Sequence, residues 1–184
     1  MSLFSLFKTI SSKKPPTCTA VIAAAGTSQR CKGEDKLFYR INDKPVLAHT
    51  ISVFQNCEFI NEIIVVSHED KIDNVAKLCQ EFGLDKVSAV IVGGPTRPES
   101  VLYGIYAASK KARLIAIHDG ARPCIESGII EAAIAAAYKH HAAAPAVQVS
   151  STLKRVRDGA IIETVDREEL FEIQTPQVFD SDLI

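Results

Sequence analysis

The hydrophobic positions of this chain alternate between two periods. Cys18 to Ala24, Glu62 to Ser67, Val87 to Val92 and Leu114 to His118 are short runs of β-branched and small apolar residues, and each predicts a strand buried on both faces. Between them, Pro45 to Gln55 carries Val46, Leu47, Ile51 and Phe54 at helical spacing, and Lys71 to Phe82 repeats the pattern. Thr96-Arg97-Pro98-Glu99 predicts a capping box opening a helix through Lys110, because the Thr96 hydroxyl and the Glu99 carboxylate can satisfy amides left unpaired in a first turn. Ser127 to His140 reads as an alanine-rich helix and Ala144 to Val149 as a further strand. This alternation predicts one α/β domain, Rossmann-like and doubly wound, with a mostly parallel sheet, helices on both faces and ligands at the carboxyl ends of the strands. From Ser150 the pattern becomes short and polar, with Lys154 to Asp158 and Ala160 to Asp166 on either side of Gly159. That predicts a protruding β-arm over about residues 150–168, of the kind that packs on a partner subunit; a helix is expected to start at Ser181.

Composition narrows the class. A chain of 184 residues, 47% hydrophobic, suits one domain with a core between layers. With 21 Lys and Arg against 22 Asp and Glu, the net charge of -1 gives no diffuse attraction for nucleic acid or an anionic membrane, so neither is expected as a partner and any anion must be held locally. The cysteines, Cys18, Cys31, Cys57, Cys79 and Cys124, lie far apart without a CxxC pair, which argues for reduced thiols in a cytoplasmic protein and against a zinc site. The run Leu3-Phe4-Ser5-Leu6-Phe7 is too short and lacks the basic flank of a secretory signal. Residues 1–17 are therefore read as a loose leader and 18–184 as the domain. No run approaches the ~20 apolar residues of a membrane span.

Three strand-to-helix loops carry candidate chemistry. Ala23-Ala24-Ala25-Gly26 offers backbone amides without bulky side chains, and Arg30 and Lys36 follow to neutralise a triphosphate. The loop lacks the spacing of a Walker or dinucleotide-binding motif. Gly93-Gly94 leading to Ser100 can present amides and a hydroxyl to a base or ribose. In His118-Asp119-Gly120-Ala121-Arg122-Pro123, Asp119 can hold a hydroxyl or magnesium and Arg122 can clamp a phosphate, with His118 packed in the strand. Each loop also has a plainer reading: a tight turn with solvated cations, an ordinary helix cap, and an Asp119–Arg122 salt bridge.

Taken in order, these three loops, Thr164-Val165-Asp166-Arg167 and Gln174-Thr175-Pro176-Gln177 resemble the 2-C-methyl-D-erythritol 4-phosphate cytidylyltransferase family of isoprenoid synthesis, over roughly Thr19 to Phe179. The resemblance implies a fold of the nucleotide-diphospho-sugar transferase type and a reaction in which the phosphate of a small sugar-alcohol phosphate attacks CTP and expels pyrophosphate. Ala24, Ala25, Gly26, Arg30 and Lys36 would then hold the triphosphate, with Gly94, Ser100 and Asp119 also binding the nucleotide. Arg30, Lys36 and Arg167 would be the catalytic cations. Asp119, Arg122, Thr152, Arg167 and Thr175 would orient the methylerythritol phosphate, with Arg167 reaching across from a neighbouring subunit of a homodimer. Magnesium would bridge the CTP phosphates without a dedicated set of protein ligands.

The chain also departs from the family pattern. Ser28 and Gln29 stand where the family usually has glycine and arginine, and Asp35 where proline usually precedes the lysine. The loop between Arg30 and Lys36 is expected to be one residue short. Asp35 sets a negative charge beside a triphosphate, an arrangement expected to lower CTP affinity or to need magnesium for loop closure. Family members continue with a threonine-aspartate segment and a late lysine beyond the position of Ile184, so a weak or non-catalytic CTP-binding module is one alternative expectation. A ribitol 5-phosphate cytidylyltransferase is the other.

Overall fold

The computed structural model describes residues 16–26 and 35–184. Arg30 and Cys31 lie outside the described residues, as does the leader through residue 15. Thr17 already belongs to the packed domain: its carbonyl accepts the amides of Arg113 and Leu114 at 2.8 and 3.0 Å.

The strands run β1 (Cys18–Ala24), β2 (Arg40–Ile41), β3 (Lys44–Pro45), β4 (Ile60–Ser67), β5 (Val87–Val92), β6 (Leu114–Asp119), β7 (Ala142–Ala143), β8 (Ala146–Gln148), β9 (Leu153–Arg157), β10 (Ala160–Val165), β11 (Phe171–Ile173) and β12 (Gln177–Asp180). The helices are α1 (Val46–Asn56), α2 (Ile72–Glu81), α3 (Arg97–Ala107) and α4 (Ser127–His140), with a 3-10 turn at Glu69–Lys71 before α2. The main sheet has six strands in the order β5-β4-β1-β6-β12-β7. Its first four are parallel, as the alternating pattern requires, while β12 pairs antiparallel with both β6 and β7.

Period-two geometry divides the core. Cys18, Ala20, Ile22 and Ala24 of β1 face Leu47, Ile51 and Phe54 of α1, Val75 and Leu78 of α2, and Ile130 and Ile134 of α4. Val21 points the other way, with Ile64, Val66, Ile115 and Ile117, against Val101 and Ile105 of α3. α3 lies so close to the sheet that a Cβ on Gly104 would come within 2.3 Å of Val21 Cγ1. Its first turn is the predicted capping box, with the Thr96 and Glu99 side chains each bonding the other residue's amide.

Several boundaries differ from the sequence expectation. α3 ends at Ala107 rather than Lys110, because the Ser109 amide leaves the helix to bond the Glu62 carboxylate at 2.9 Å. Of the strand expected over Ala144 to Val149 only β8 forms, and it pairs with β11 instead of joining the main sheet; the main-sheet strand β7 lies just before it, ahead of Pro145, which has no N–H to donate. Ser181 opens a turn and not a helix. The hairpin of β9 and β10 forms as expected, and every residue of β9 is exposed.

Candidate nucleotide-binding site

The order of the parallel strands reverses between β1 and β6, whose neighbours lead away in opposite directions. In an open α/β sheet a crevice forms at that place, outside the carboxyl ends of the strands. A cleft of about 590 Å³ occupies it. The first loop contributes Ala24, Ala25, Gly26 and Lys36 to its wall, the second Gly94 and Ser100, and the third Asp119 and Arg122.

Packing explains the small residues. A Cβ on Gly93 would lie 2.6 Å from Ala25 Cβ and 2.7 Å from Ser100 Oγ, so glycine lets the second loop close on the first, and a Cβ on Gly94 would lie 2.5 Å from Glu99 Cβ, so glycine there lets the loop fold against α3. The Ser100 hydroxyl donates to the Gly94 carbonyl at 3.2 Å, fixing the loop against α3. Gly120 holds the third loop to the first by donating its amide to the Ala23 carbonyl at 2.9 Å, and its own carbonyl accepts the buried Thr50 hydroxyl of α1 at 2.8 Å. Lys36 sits in a turn whose Asp35 carbonyl accepts the Phe38 and Tyr39 amides at 3.0 and 3.1 Å.

Asp119 is the charged centre of the cleft. Its Oδ1 accepts Nη2 and Nε of Arg97 at 2.9 and 3.3 Å, and its Oδ2 accepts Nε of Arg122 at 2.9 Å. Partial burial pushes this carboxyl up, but the hydrogen bonds and positive charges of Arg97 and Arg122 outweigh it and hold Asp119 below the usual carboxylate range. Arg122 continues the network, donating to Gln174 Oε1 at 2.5 Å. The salt bridge considered for Asp119 and Arg122 is therefore present, and it lies within the cleft wall. Arg97 is the residue that the sequence did not single out. It stands within the capping box, and its link to Asp119 spans 22 positions.

His118 is fully buried, as its place in β6 predicts, with its ring 4.9 Å from that of Phe54 and Nε2 3.3 Å from the Arg122 carbonyl. Burial lowers its pKa to about 4, despite the Arg122 carbonyl and the nearby Asp119, so the ring is neutral near pH 7. Thr152, Arg167 and Thr175 are not brought to the cleft wall. Thr175 is buried with its hydroxyl unpaired among the described residues, and the Arg167 guanidinium donates to the Ser150 carbonyl at the root of the arm.

Comparison with known proteins now decides the family. The model of the 2-C-methyl-D-erythritol 4-phosphate cytidylyltransferase family matches residues 18–184. The chain belongs to this family. Among curated members, the 2-C-methyl-D-erythritol 4-phosphate cytidylyltransferase of Halalkalibacterium halodurans is 40% identical over 167 residues, covering 90% of this chain and 73% of the relative. That of Dehalococcoides mccartyi is 42% identical over 166 residues, with the same two coverages of 90% and 73%. The crystal structure of 4-diphosphocytidyl-2C-methyl-D-erythritol synthase from Anaerococcus prevotii superposes with a TM-score of 0.79 at 27% identity, covering 91% of this chain and 73% of that one. Membership of the cytidylyltransferase family accords with the mostly parallel central sheet.

No group of three or more His, Cys, Asp or Glu side chains among the described residues is arranged to hold a metal. Among the described residues Asp119 is the carboxylate at the cleft wall, and both of its oxygens are engaged by guanidinium groups. Such a donor set fits an ion carried chiefly by phosphate oxygens, as magnesium commonly is in nucleotide sites. No helix among the described residues is long and apolar enough to cross a membrane.

Proposed function

We propose that this chain transfers the cytidylyl group of CTP to 2-C-methyl-D-erythritol 4-phosphate and releases pyrophosphate. The observation that carries the reading is the convergence of all three loops on one switch-point cleft, with Lys36, Arg97 and Arg122 on its wall. A phosphate oxygen of the sugar-alcohol phosphate forms a bond to the α-phosphorus of CTP as the bond to the pyrophosphate oxygen breaks. The attacking phosphate is already ionised near neutral pH, so no general base is needed, in keeping with a His118 that is sealed in the core. Catalysis then consists of positioning and of fixed positive charge where negative charge grows. Ala24, Ala25 and Gly26 let the triphosphate approach the backbone, Lys36 stabilises the charge on the phosphates, and Gly94 and Ser100 receive the cytidine. Arg30 takes the second catalytic place by family resemblance. Asp119 and Arg122 orient the acceptor. Asp119 is the cleft-wall carboxylate that would face a magnesium ion carried by the phosphates, and such an ion would neutralise part of the triphosphate charge.

The arm supports a homodimer. Val156 and Ile161 are 57% and 66% exposed, and Thr152 and Arg167 sit at the arm's base, away from the cleft wall of their own chain. Two chains exchanging arms bury that apolar surface and bring Thr152 and Arg167 to a neighbour's acceptor site.

The test is pyrophosphate release from CTP and magnesium with methylerythritol phosphate, and with ribitol 5-phosphate in parallel. Turnover with methylerythritol phosphate alone is expected, falling about 10²–10³-fold in Lys36→Ala with the fold intact. Equal turnover with ribitol 5-phosphate, or a Lys36→Ala chain as fast as its parent, would remove the reading.

A further inference from the structure

The turn that delivers Lys36 to the cleft begins at a carboxylate. Asp35 Oδ1 accepts the Leu37 amide at 3.1 Å and so caps the turn. An amide oxygen would serve that purpose equally well, whereas the negative charge stands one residue from the cation that faces the triphosphate. The other oxygen, Oδ2, accepts Lys71 Nζ at 2.5 Å, in a pair whose side chains are only 25% and 21% exposed for Lys71 and Asp35. Lys71 closes the 3-10 turn that follows β4, so the pair ties the Lys36 turn to the neighbouring strand's carboxyl end. Among the described residues, neither partner lines the cleft; Lys36 and Leu37 do.

We propose that Lys71 is a positioning residue for the nucleotide: it cancels the Asp35 charge and anchors the turn, so that Lys36 alone presents its charge to the phosphates. The inference rests on the reading of the cleft as the CTP site. Solvent and salt screen a partly buried pair less than a surface pair, so an uncompensated Asp35 is felt by a nearby triphosphate. The Asp35 charge, which was expected to lower CTP affinity, has a partner 36 residues away in sequence.

The experiment measures CTP–magnesium dissociation constants by titration calorimetry on the unsubstituted chain, Lys71→Met, Lys71→Arg, Asp35→Asn and Asp35→Asn/Lys71→Met, with steady-state kinetics in parallel and thermal unfolding as the fold check. Lys71→Met is expected to weaken CTP binding about tenfold and to leave the KM for methylerythritol phosphate in place, the scale of one uncompensated charge in a partly buried site. Lys71→Arg keeps the affinity. The double variant recovers to within about threefold, because the amide oxygen of the substituted side chain still caps the turn and no charge remains to repel the phosphates. Lys71→Met binding CTP within twofold of its parent overturns the inference, and so does a double variant as weak as Lys71→Met, which would reduce the pair to a brace. If Lys71→Met fails to fold, Asp35→Asn decides: it is expected to bind CTP at least as tightly as the parent, and a tenfold loss overturns the proposal. CTP binding with this pattern but no cytidylyl transfer would sink the proposed function and leave the inference standing, whereas an unsubstituted chain that binds no CTP overturns both.

Discussion

Gly104 is the point where the fold and the cleft are coupled most tightly, and Gly104→Ala tests that coupling. A methyl group there would sit 2.3 Å from Val21 Cγ1 and 2.9 Å from Val66 Cγ2, both on fully buried side chains of the sheet. Restoring even a 3.4 Å contact requires α3 to retreat by 1.1 Å, the difference between 3.4 and 2.3. Alanine gains about 1 kcal/mol of helix propensity over glycine, while forcing an extra carbon into a packed core costs about 1–3 kcal/mol. Because the obstructing atoms are on two β-branched core residues, the upper end applies, and the net expectation is a loss of about 2 kcal/mol. Urea unfolding at pH 7 reads this directly. Gly128 in α4 supplies the control: no atom of the described residues lies within 4 Å of its added Cβ, so Gly128→Ala should gain up to about 1 kcal/mol. The same helix carries Arg97 and Ser100 into the cleft wall, so Gly104→Ala should also weaken CTP binding, whereas Gly128→Ala should not. A Gly104→Ala chain as stable as its parent would refute the close-packing argument.

Two further perturbations address the third loop. The folded pKa of His118, about 4, lies below the ordinary 6.5, so the unfolded chain takes up the proton first. The resulting stability is complete above pH 6.5, falls as pH drops toward 4, and amounts to a loss of about 2 kcal/mol by pH 5. His118→Gln should lack that part of the pH dependence in urea titrations, and an unchanged slope would contradict a neutral buried ring. Arg97→Ala removes one of the two guanidinium groups on Asp119, so the Asp119 carboxyl should rise toward its ordinary range by carbon-13 NMR titration and substrate KM should rise about tenfold, as for a lost charged hydrogen bond. Arg97→Lys should recover only part of the loss, because a single ammonium cannot reproduce the Nε and Nη2 pair, and unaltered kinetics in Arg97→Ala would remove Arg97 from the site.

Much of this architecture was legible because local chemistry and the global fold agree. The runs at Cys18 and Val87 become strands with the predicted bounds, and Thr96 with Glu99 forms the predicted box, because each is decided within a few residues. The antiparallel β12 was not legible: four residues give too short an alternation, and the strand's place between β6 and β7 depends on chain far from it in sequence. The small β2–β3 hairpin is not legible either, since its two-residue strands are too short to alternate; the structure shows its turn residues, Asn42 and Asp43, at positive φ of 49° and 61°, as tight hairpin turns require. In the site, the three loops announced themselves by glycine and charge. Arg97 and Lys71 did not, because what each does depends on a carboxylate supplied by a different element.

The arm gives the proposed assembly a physical basis beyond family resemblance. An isolated two-stranded hairpin is marginal in water, and this one keeps Val156, Ile161 and Ile162 exposed while β8 and β11 leave Val147, Phe171 and Ile173 uncovered nearby. Surface of that kind favours burial against another chain over standing free. Thr152 and Arg167, the residues that the family resemblance sends to the acceptor, flank the same hairpin. In the proposed homodimer the contact that buries the apolar arm would also deliver Thr152 and Arg167 to the acceptor, so arm burial and completion of the site would be one event. On this reading a polar substitution such as Ile161→Asp acts twice: it weakens association and removes Arg167 from the neighbouring cleft, while each separate chain keeps its own Lys36, Ser100 and Asp119 for CTP.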